Sequence, residues 1–387
     1  MRRLEAEIRH HDRLYYVQAK PEISDREYDA LFDELVALED QHPELVSPDS
    51  PTQRVGSDLA HDLPGVAHTI PVLSLDKCYS PSELVAWLDK TVAASPDPQP
   101  LSFVLEEKLD GASIVLTYEE GRLVRAVTRG NGAVGNDVTA NARTIRSIPL
   151  VLAEAVSLTV RGEVFMRRAA FEAYNTASGG TYSNPRNLAA GTLRNVRSRV
   201  TAAVPLEFFA YEGFFADGWG ASHSGILARL AALGLPVNPH GVLVSEDATL
   251  ISAVRKDLPS WRTASFSELQ NIVEEASFGR KQLEYEIDGL VLKVDGIARR
   301  EILGYTAHHP RWAIAVKFEA PEAVTRLVSI TVQVGRNGRI TPVAELEAVA
   351  LAGSIISRAT LHNEDYVNQL ELAPGDTVAI SRRGDVI

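Results

Sequence analysis

Apolar positions along the chain change period twice. Over residues 1–42 they recur at helical spacing. Leu4, Ile8, His11 and Tyr15 share one face of a first helix. Ser24 and Glu27 stand in capping-box relation at the start of a second, which continues through Tyr28, Leu31, Phe32, Leu35 and Leu38. His42-Pro43 stops it. Residues 43–71 are proline-rich and irregular, the pattern of a connection between domains. Ser80-Pro81-Ser82-Glu83 then supplies cap, first-turn proline and acid for a helix through Leu84 and Trp87.

A strand-rich centre follows. Leu101 to Leu105 is a short apolar run, and Ser113 to Tyr118 and Leu123 to Thr128 flank Glu119-Glu120-Gly121-Arg122 as a hairpin. Ser157 to Met166 is a further strand, and a helix is expected from Arg168 to about Ala177. Leu206 to Tyr211 reads as a strand, residues 224–236 as an amphipathic helix, and Trp261 to Lys281 as mostly helical. Two more β-branched runs follow, Asp288 to Val294 and Trp312 to Phe318. From about residue 320 short strands with glycine turns take over: Val328 to Val334, Ile340 to Val349 and Thr377 to Ser381. They read as a small barrel such as an OB-fold, incomplete at Ile387.

Length and composition fit two or three soluble domains: 387 residues, 45% hydrophobic and 23% charged. No apolar run is long enough to cross a bilayer, and no apolar core follows Met1-Arg2-Arg3, so neither a membrane span nor a signal peptide is expected. The single cysteine, Cys78, excludes an internal disulfide and a multi-cysteine zinc site, and fits a reducing, cytoplasmic compartment. The net charge of −12 argues against nucleic acid only until its distribution is read. Residues 1–62 hold seven Lys/Arg against fifteen Asp/Glu, whereas residues 183–201 hold Arg186, Arg194, Arg197 and Arg199 and no acid. A local basic patch suffices to bind phosphates.

The candidate chemistry centres on Glu106-Glu107-Lys108-Leu109-Asp110-Gly111. A lysine at the end of an apolar strand is either a solvated residue at a hairpin corner or a nucleophile, because burying an ammonium is costly unless it is paired or deprotonated. Lys293 and Lys317 also end β-branched runs, and strand alternation sets Lys293 on the face opposite Leu290, Leu292 and Val294. Two such lysines, with Glu163 from Arg161-Gly162-Glu163, favour the nucleophile: neighbouring cations lower a lysine pKa and stabilise phosphate charge. Glu163 is the candidate ligand of Mg²⁺ or Mn²⁺. Gly130-Asn131-Gly132-Ala133-Val134-Gly135 matches G-x-G-x-x-G but follows a hairpin strand, not a βαβ unit, so a dinucleotide-binding Rossmann fold is not expected. Tyr15, Tyr16, Asp25, Tyr28 and Asp29 lie at one helix–helix corner, as core tyrosines with N-terminal acids or as a grip for a cationic aromatic ring.

Lys108-Leu109-Asp110-Gly111 resembles the K-x-D-G motif of covalent nucleotidyltransferases. Arg161-Gly162-Glu163, Asp288 to Lys293 and Val316-Lys317-Phe318 follow in that family's order. The N-terminal segment, Thr52-Gln53-Arg54-Val55-Gly56, Leu73-Ser74-Leu75-Asp76 and Asn184-Pro185-Arg186-Asn187 make the whole chain similar to bacterial NAD⁺-dependent DNA ligases. The resemblance implies an α+β adenylation fold of antiparallel sheets and helices, with a helical domain at residues 1–62, the adenylation domain at 63–319 and a partial OB-fold at 320–387. It implies that Lys108 attacks NAD⁺, releasing nicotinamide mononucleotide (NMN). Glu106 would read the adenine amino group. Asp110, Arg129 and Glu163 would position ribose, phosphate and metal, and Lys293 and Lys317 would contact phosphate. Ser74 and Leu75 would line the nucleotide pocket, which Asp288 would support. Tyr15, Tyr16, Asp25, Tyr28 and Asp29 would recognise the nicotinamide end. Arg186 and Arg194 would contact nicked double-stranded DNA, bound by a monomer.

Two features depart from the family pattern. Asn131 and Asn136 stand where acids are usual, and the family's tetracysteine module has no counterpart here. The expectation is therefore a trimmed or naturally short form that self-adenylates, with nick sealing less secure. An ATP-dependent nucleotidyltransferase and a non-catalytic nick-binding protein are the alternatives.

Overall fold

The computed structural model describes residues 2–12, 22–42, 45, 63–95, 100–180, 182, 184–218, 220–306, 309–318, 322–334, 340–351 and 354–381. They fall into two compact units, one of residues 53–318 and one of residues 1–52 with 319–387.

Among the described residues the larger unit is built on twelve strands: β1 (Gly65–Ala67), β2 (Asp76–Cys78), β3 (Phe103–Leu109), β4 (Ala112–Glu119), β5 (Arg122–Thr128), β6 (Val134–Asn136), β7 (Leu158–Phe165), β8 (Glu207–Phe215), β9 (Val242–Val244), β10 (Arg262–Ala264), β11 (Ile287–Val294) and β12 (Ala313–Lys317). One six-stranded sheet runs β10-β9-β3-β11-β12-β2, one four-stranded sheet runs β5-β4-β7-β8, and β1 pairs with β6. Within the two large sheets most pairings are antiparallel, as expected; β10 with β9 and β12 with β2 are parallel.

Each sheet has one apolar and one polar face, because strand residues alternate. Ile114, Leu116, Tyr118, Leu158, Val160, Val164 and Phe208 turn one face of the four-stranded sheet into a core with Leu188 and Leu193 of helix Pro185–Leu193 and Ile226, Leu227 and Leu230 of helix His223–Ala232. Phe103, Leu105, Leu290, Leu292, Val294 and Val316 turn one face of the six-stranded sheet into a separate core, under helices Pro81–Ala93 and Leu269–Gly279. Two separate cores leave the remaining faces free for polar residues.

The stretch opening at Lys108 joins the sheets. β3 belongs to one and β4 to the other, with Asp110-Gly111 as the crossing. It is not the corner of a hairpin. At Gly111 a Cβ would lie 2.3 Å from the Val164 carbonyl oxygen, so the crossing admits no side chain there.

Some expected elements shift. The basic stretch holds two short helices: Pro185–Leu193 ends at its cap Arg194, and Ser198–Ala202 forms another. The 261–281 region begins with a strand, Arg262–Ala264, paired with Val242–Val244. Gly130 and Gly132 take positive φ in a tight turn whose following strand, β6, pairs antiparallel with β1, so no parallel βαβ unit surrounds G-x-G-x-x-G.

In the smaller unit, helices Arg2–Asp12 and Asp25–Gln41 pack through Leu4, Ile8 and Leu35. The Ser24/Glu27 capping box forms: Glu27 N–H donates to Ser24 Oγ at 3.2 Å, and Ser24 N–H donates to Glu27 Oε2 at 2.8 Å. Four further strands, β13 (Glu322–Val334), β14 (Ile340–Leu351), β15 (Ser354–Thr360) and β16 (Thr377–Ser381), form a sheet in the order β15-β14-β13-β16 around Leu327, Ala344, Leu346 and Ile356.

Candidate active site

β11 lies between β3 and β12 and sets the register of the site. Gly289 pairs with Lys108 on one side and Lys317 on the other, so both lysines flank a residue without a side chain. Paired residues point to one face, and positions two apart share it. Glu106 (opposite Val291) and Lys293 therefore join Lys108 and Lys317 on the polar face. Glu107 alternates to the other side, where it accepts hydrogen bonds from Asn238 Nδ2 at 2.7 Å and Tyr285 Oη at 2.6 Å. At Gly289 a Cβ would stand 2.2 Å from the Val316 carbonyl oxygen.

Asp288 reaches this face through a β-bulge. The register advances two residues on β11, from Ile287 to Gly289, against one on β3. A bulged residue is left out of the ladder and its side chain is re-aimed. Lys108 Nζ donates to both Asp288 carboxylate oxygens, at 2.9 and 2.8 Å. Both side chains are about one-third exposed (31% and 30%), so the pair is open to a ligand.

The four-stranded sheet contributes from across the crossing. Glu163 and Arg161 share the polar face of β7, opposite Ser113 and Val115 of β4. Burial pushes the Glu163 carboxyl up to about 8 against the pull of Lys108 and Arg186, with Asp110 and Asp288 adding to the rise. A second bulge, in β8, leaves Tyr211 out of register between Glu212 and Ala210. Tyr211 shares a 2.8 Å hydrogen bond with Ser113 Oγ, and Lys293 Nζ lies 5.4 Å from its ring centroid.

Beyond Lys293 the charges are buried and paired. Glu106 Oε2 is 2.5 Å from Lys293 Nζ and 2.9 Å from His223 Nε2. Burial alone would raise the Glu106 carboxyl, but Lys293 and His223 overcome it and hold it down to about 2. Burial, with Lys293 and Arg300, depresses His223 to about 4 against Glu106, so its imidazole is neutral at pH 7. Arg161 donates to Glu212 Oε2 at 2.8 Å and to the Ile70 and Pro71 carbonyls at 2.9 and 2.8 Å, fastening the segment that leads to Ser74 and Leu75. Arg129 Nη2 donates to Ser74 Oγ at 2.9 Å, while its buried Nε has no partner among the described residues. Leu75 packs on the core of the six-stranded sheet.

The structure thus brings Glu106, Lys108, Asp110, Glu163, Asp288, Lys293 and Lys317 onto facing surfaces. It adds Arg186, which binds Asp110 at 3.0 Å. Arg194 caps its own helix, with Nε donating to Ala190 O at 3.2 Å. Tyr28 is partly buried and stacks on Phe32 at 6.2 Å, and Asp29 lies on the same helix. Tyr15 and Tyr16, and the Asp25 side chain, lie outside the described residues. Asn131 Oδ1 accepts from the Ala133 and Val134 amides, and buried Asn136 donates Nδ2 to the Leu63 carbonyl, a bond that a carboxylate cannot make. Sequence reasoning missed His223, Tyr211 and Glu212. Among the described residues no group of three or more His, Cys, Asp or Glu forms a metal cage. A cavity of about 330 Å³ lies behind β3, lined by Leu105, Glu107, His240 and Ile272; Lys108 is not part of its wall.

Comparison with known proteins is consistent with this geometry. A family model described as the NAD-dependent DNA ligase adenylation domain matches residues 60–321, one described as the NAD-dependent DNA ligase OB-fold domain matches 324–387, and one described as a DNA ligase-like N-terminal NAD+-binding domain matches 1–56. The fold is that of a nucleotidyltransferase-class adenylation domain followed by an OB-fold. Proteins named DNA ligase from Borrelia turicatae, Leptospira interrogans and Borreliella burgdorferi are 42%, 43% and 46% identical over 98%, 100% and 98% of this chain and 54%, 53% and 54% of their own. The chain belongs to the NAD-dependent DNA ligase family. It spans about half the length of the curated relatives it matches.

Proposed function

We propose that the chain takes AMP from NAD⁺ onto Lys108. The observation that carries this is the Lys108–Asp288 pair, across Gly289 from Lys317, within electrostatic reach of Glu163, with Lys293 four positions farther along β11 on the same face. Nζ attacks the α-phosphorus once it has lost a proton, for which Asp288 is the contacting base. A P–N bond forms, the P–O bond to the NMN phosphate breaks, and NMN leaves with the electron pair. Lys293 and Lys317 supply positive charge where phosphate charge develops. Arg129 retains a guanidinium donor for ribose or phosphate. Ser74 and Leu75 wall the nucleotide site, and Tyr211 offers a flat face to a base.

Glu163, half-buried and accepting no hydrogen bond among the described residues, fits a hard cation whose other ligands are phosphate oxygens and water. Mg²⁺ or Mn²⁺ bound there would offset phosphate charge. Tyr15, Tyr16, Asp25, Tyr28 and Asp29 would receive the nicotinamide end. The AMP then passes to the 5′-phosphate of a nick, and the 3′-hydroxyl displaces it as the strand closes. Arg186 and Arg194 would contact that DNA. The protein would act as a cytoplasmic monomer, with the domain limits drawn from sequence.

Intact mass spectrometry tests the first step. NAD⁺ should add one AMP to the wild-type chain and none to Lys108→Ala. Labelling from ATP instead of NAD⁺ would overturn the donor. No labelling from either, with retained binding to nicked duplex, would leave a binding protein. Sealing is read separately, on nicked duplex with the adenylated chain.

A further inference from the structure

His223 lies in no motif that marks a nucleotide site, yet it is completely buried against the carboxylate facing that site. Its position is fixed from the nucleotide-binding strand itself. Asp295, two residues past Lys293, accepts the His223 backbone N–H at 2.7 Å, and its Oδ1 accepts that of Ser224 at 2.7 Å. The first residues of helix His223–Ala232 are thus pinned to the end of β11.

The tautomer follows from the contacts. Nε2 lies 2.9 Å from Glu106 Oε2 and 3.3 Å from Lys293 Nζ, while Lys293 is closer still to the same carboxylate oxygen. The ammonium donates to Glu106, so the imidazole proton sits on Nε2 and donates to Glu106 as well. Nδ1 is left as a buried lone pair with no partner among the described residues. A buried acceptor left unsatisfied costs free energy that a purely structural histidine has no reason to incur.

Both donors therefore converge on one oxygen. Oε2 is held by Lys293 and His223, and Oε1 receives no hydrogen bond from the described residues. With a single donor the carboxylate could turn and offer either oxygen. With two it presents Oε1 as a fixed, ionised acceptor.

We propose that His223 is a positioning residue that clamps Glu106 so that Oε1 selects a purine carrying an exocyclic amino group at the edge it meets. Adenine has that donor; hypoxanthine presents a carbonyl oxygen there, which a fixed carboxylate repels. This rests on the adenylation reading only in identifying the nucleotide site. A site built to pair one group rejects the analogue that lacks it, because its buried partner is left unpaired.

The test is equilibrium binding of AMP and IMP to the full chain, with NAD⁺-dependent adenylation measured in parallel. Wild type should prefer AMP. His223→Leu, similar in bulk and without a donor, should lose about tenfold of that preference. His223→Gln, whose side-chain amide can reach Oε2, should recover most of it. The AMP:IMP ratio separates positioning from packing, since general loosening weakens both ligands together. Should His223→Leu be unfolded by circular dichroism, the Gln variant and His223→Asn, too short to reach Oε2, carry the comparison. A folded Leu or Asn variant with the wild-type ratio overturns the proposal while leaving adenylation intact. A His223-dependent preference in a chain that never gains AMP from NAD⁺ supports the clamp and removes the adenylation reading.

Discussion

Lys108 and Asp288 are 180 positions apart in the chain, yet the ammonium of one donates to both carboxylate oxygens of the other. The contact exists because one residue is left out of register in β11. Asp288→Asn keeps the size and removes the base. We expect adenylation of Lys108 to slow about 100-fold, the usual scale for losing a positioned proton acceptor. Rapid-quench mass spectrometry with saturating NAD⁺ reads this; a wild-type rate would mean that Asp288 only supports the strand.

Lys317 is the complementary case. Among the described residues it has no hydrogen bond or ion pair, although it ends a buried strand. Lys317→Ala should leave thermal stability within about 0.5 kcal/mol of wild type, as for a substitution away from packing and networks. Adenylation should fall by about two orders of magnitude, as when a preorganised charge is removed from a phosphate site. A loss of stability without loss of rate would reverse that assignment.

Gly289→Ala should damage the fold as well as the reaction. The new Cβ meets the Val316 carbonyl oxygen at 2.2 Å, and a backbone atom cannot rotate away. Forcing β11 and β12 apart should cost about 1–3 kcal/mol, the range for overpacking. The urea midpoint measures the cost. The same movement separates Lys317 from Lys108, so adenylation should fall more than stability alone explains.

The clamp gives stability a direction with pH. His223 is depressed from its usual 6.5 to about 4, so the folded chain binds fewer protons than the unfolded one between those values. Its contribution is complete above about pH 6.5 and is lost as pH falls through 4. Glu106, held at about 2, loses its own contribution lower still, from its usual value of 4.5 downward. Between pH 7 and 4.5 the wild-type melting temperature should drop more than that of His223→Leu. Equal drops in calorimetry would show that His223 is not the responsible group.

How much of this the sequence revealed differs from residue to residue. Lys108, Lys293 and Lys317 were legible because strand alternation assigns faces, and a charge on a β-branched run breaks the pattern. Glu106 came with Lys108, two positions away on the same strand. The resemblance to covalent nucleotidyltransferases placed Asp288, whose bulge no local pattern betrays. Tyr211 sat at the end of a strand that in fact continues to Phe215, so its displacement from the ladder was hidden. His223 was invisible for another reason. It opens a helix of ordinary amphipathic pattern, and only the pairing of β3 with β11 brings Glu106 to it. Arg186 read as a free basic residue beside Arg194, Arg197 and Arg199, because nothing local predicts its pairing with Asp110.

The central position of β11 also imposes an order of events on synthesis. Its neighbour β3 leaves the ribosome about 180 residues earlier, and β12 leaves about 20 residues later. Pairings this distant close slowly, because the loop entropy is spent before any contact rewards it. Until residue 294 has emerged, Lys108 has neither Asp288 nor Lys293 beside it, and Lys317 follows only with β12. The polar face around Lys108 is therefore assembled in two stages, β11 first and β12 after it.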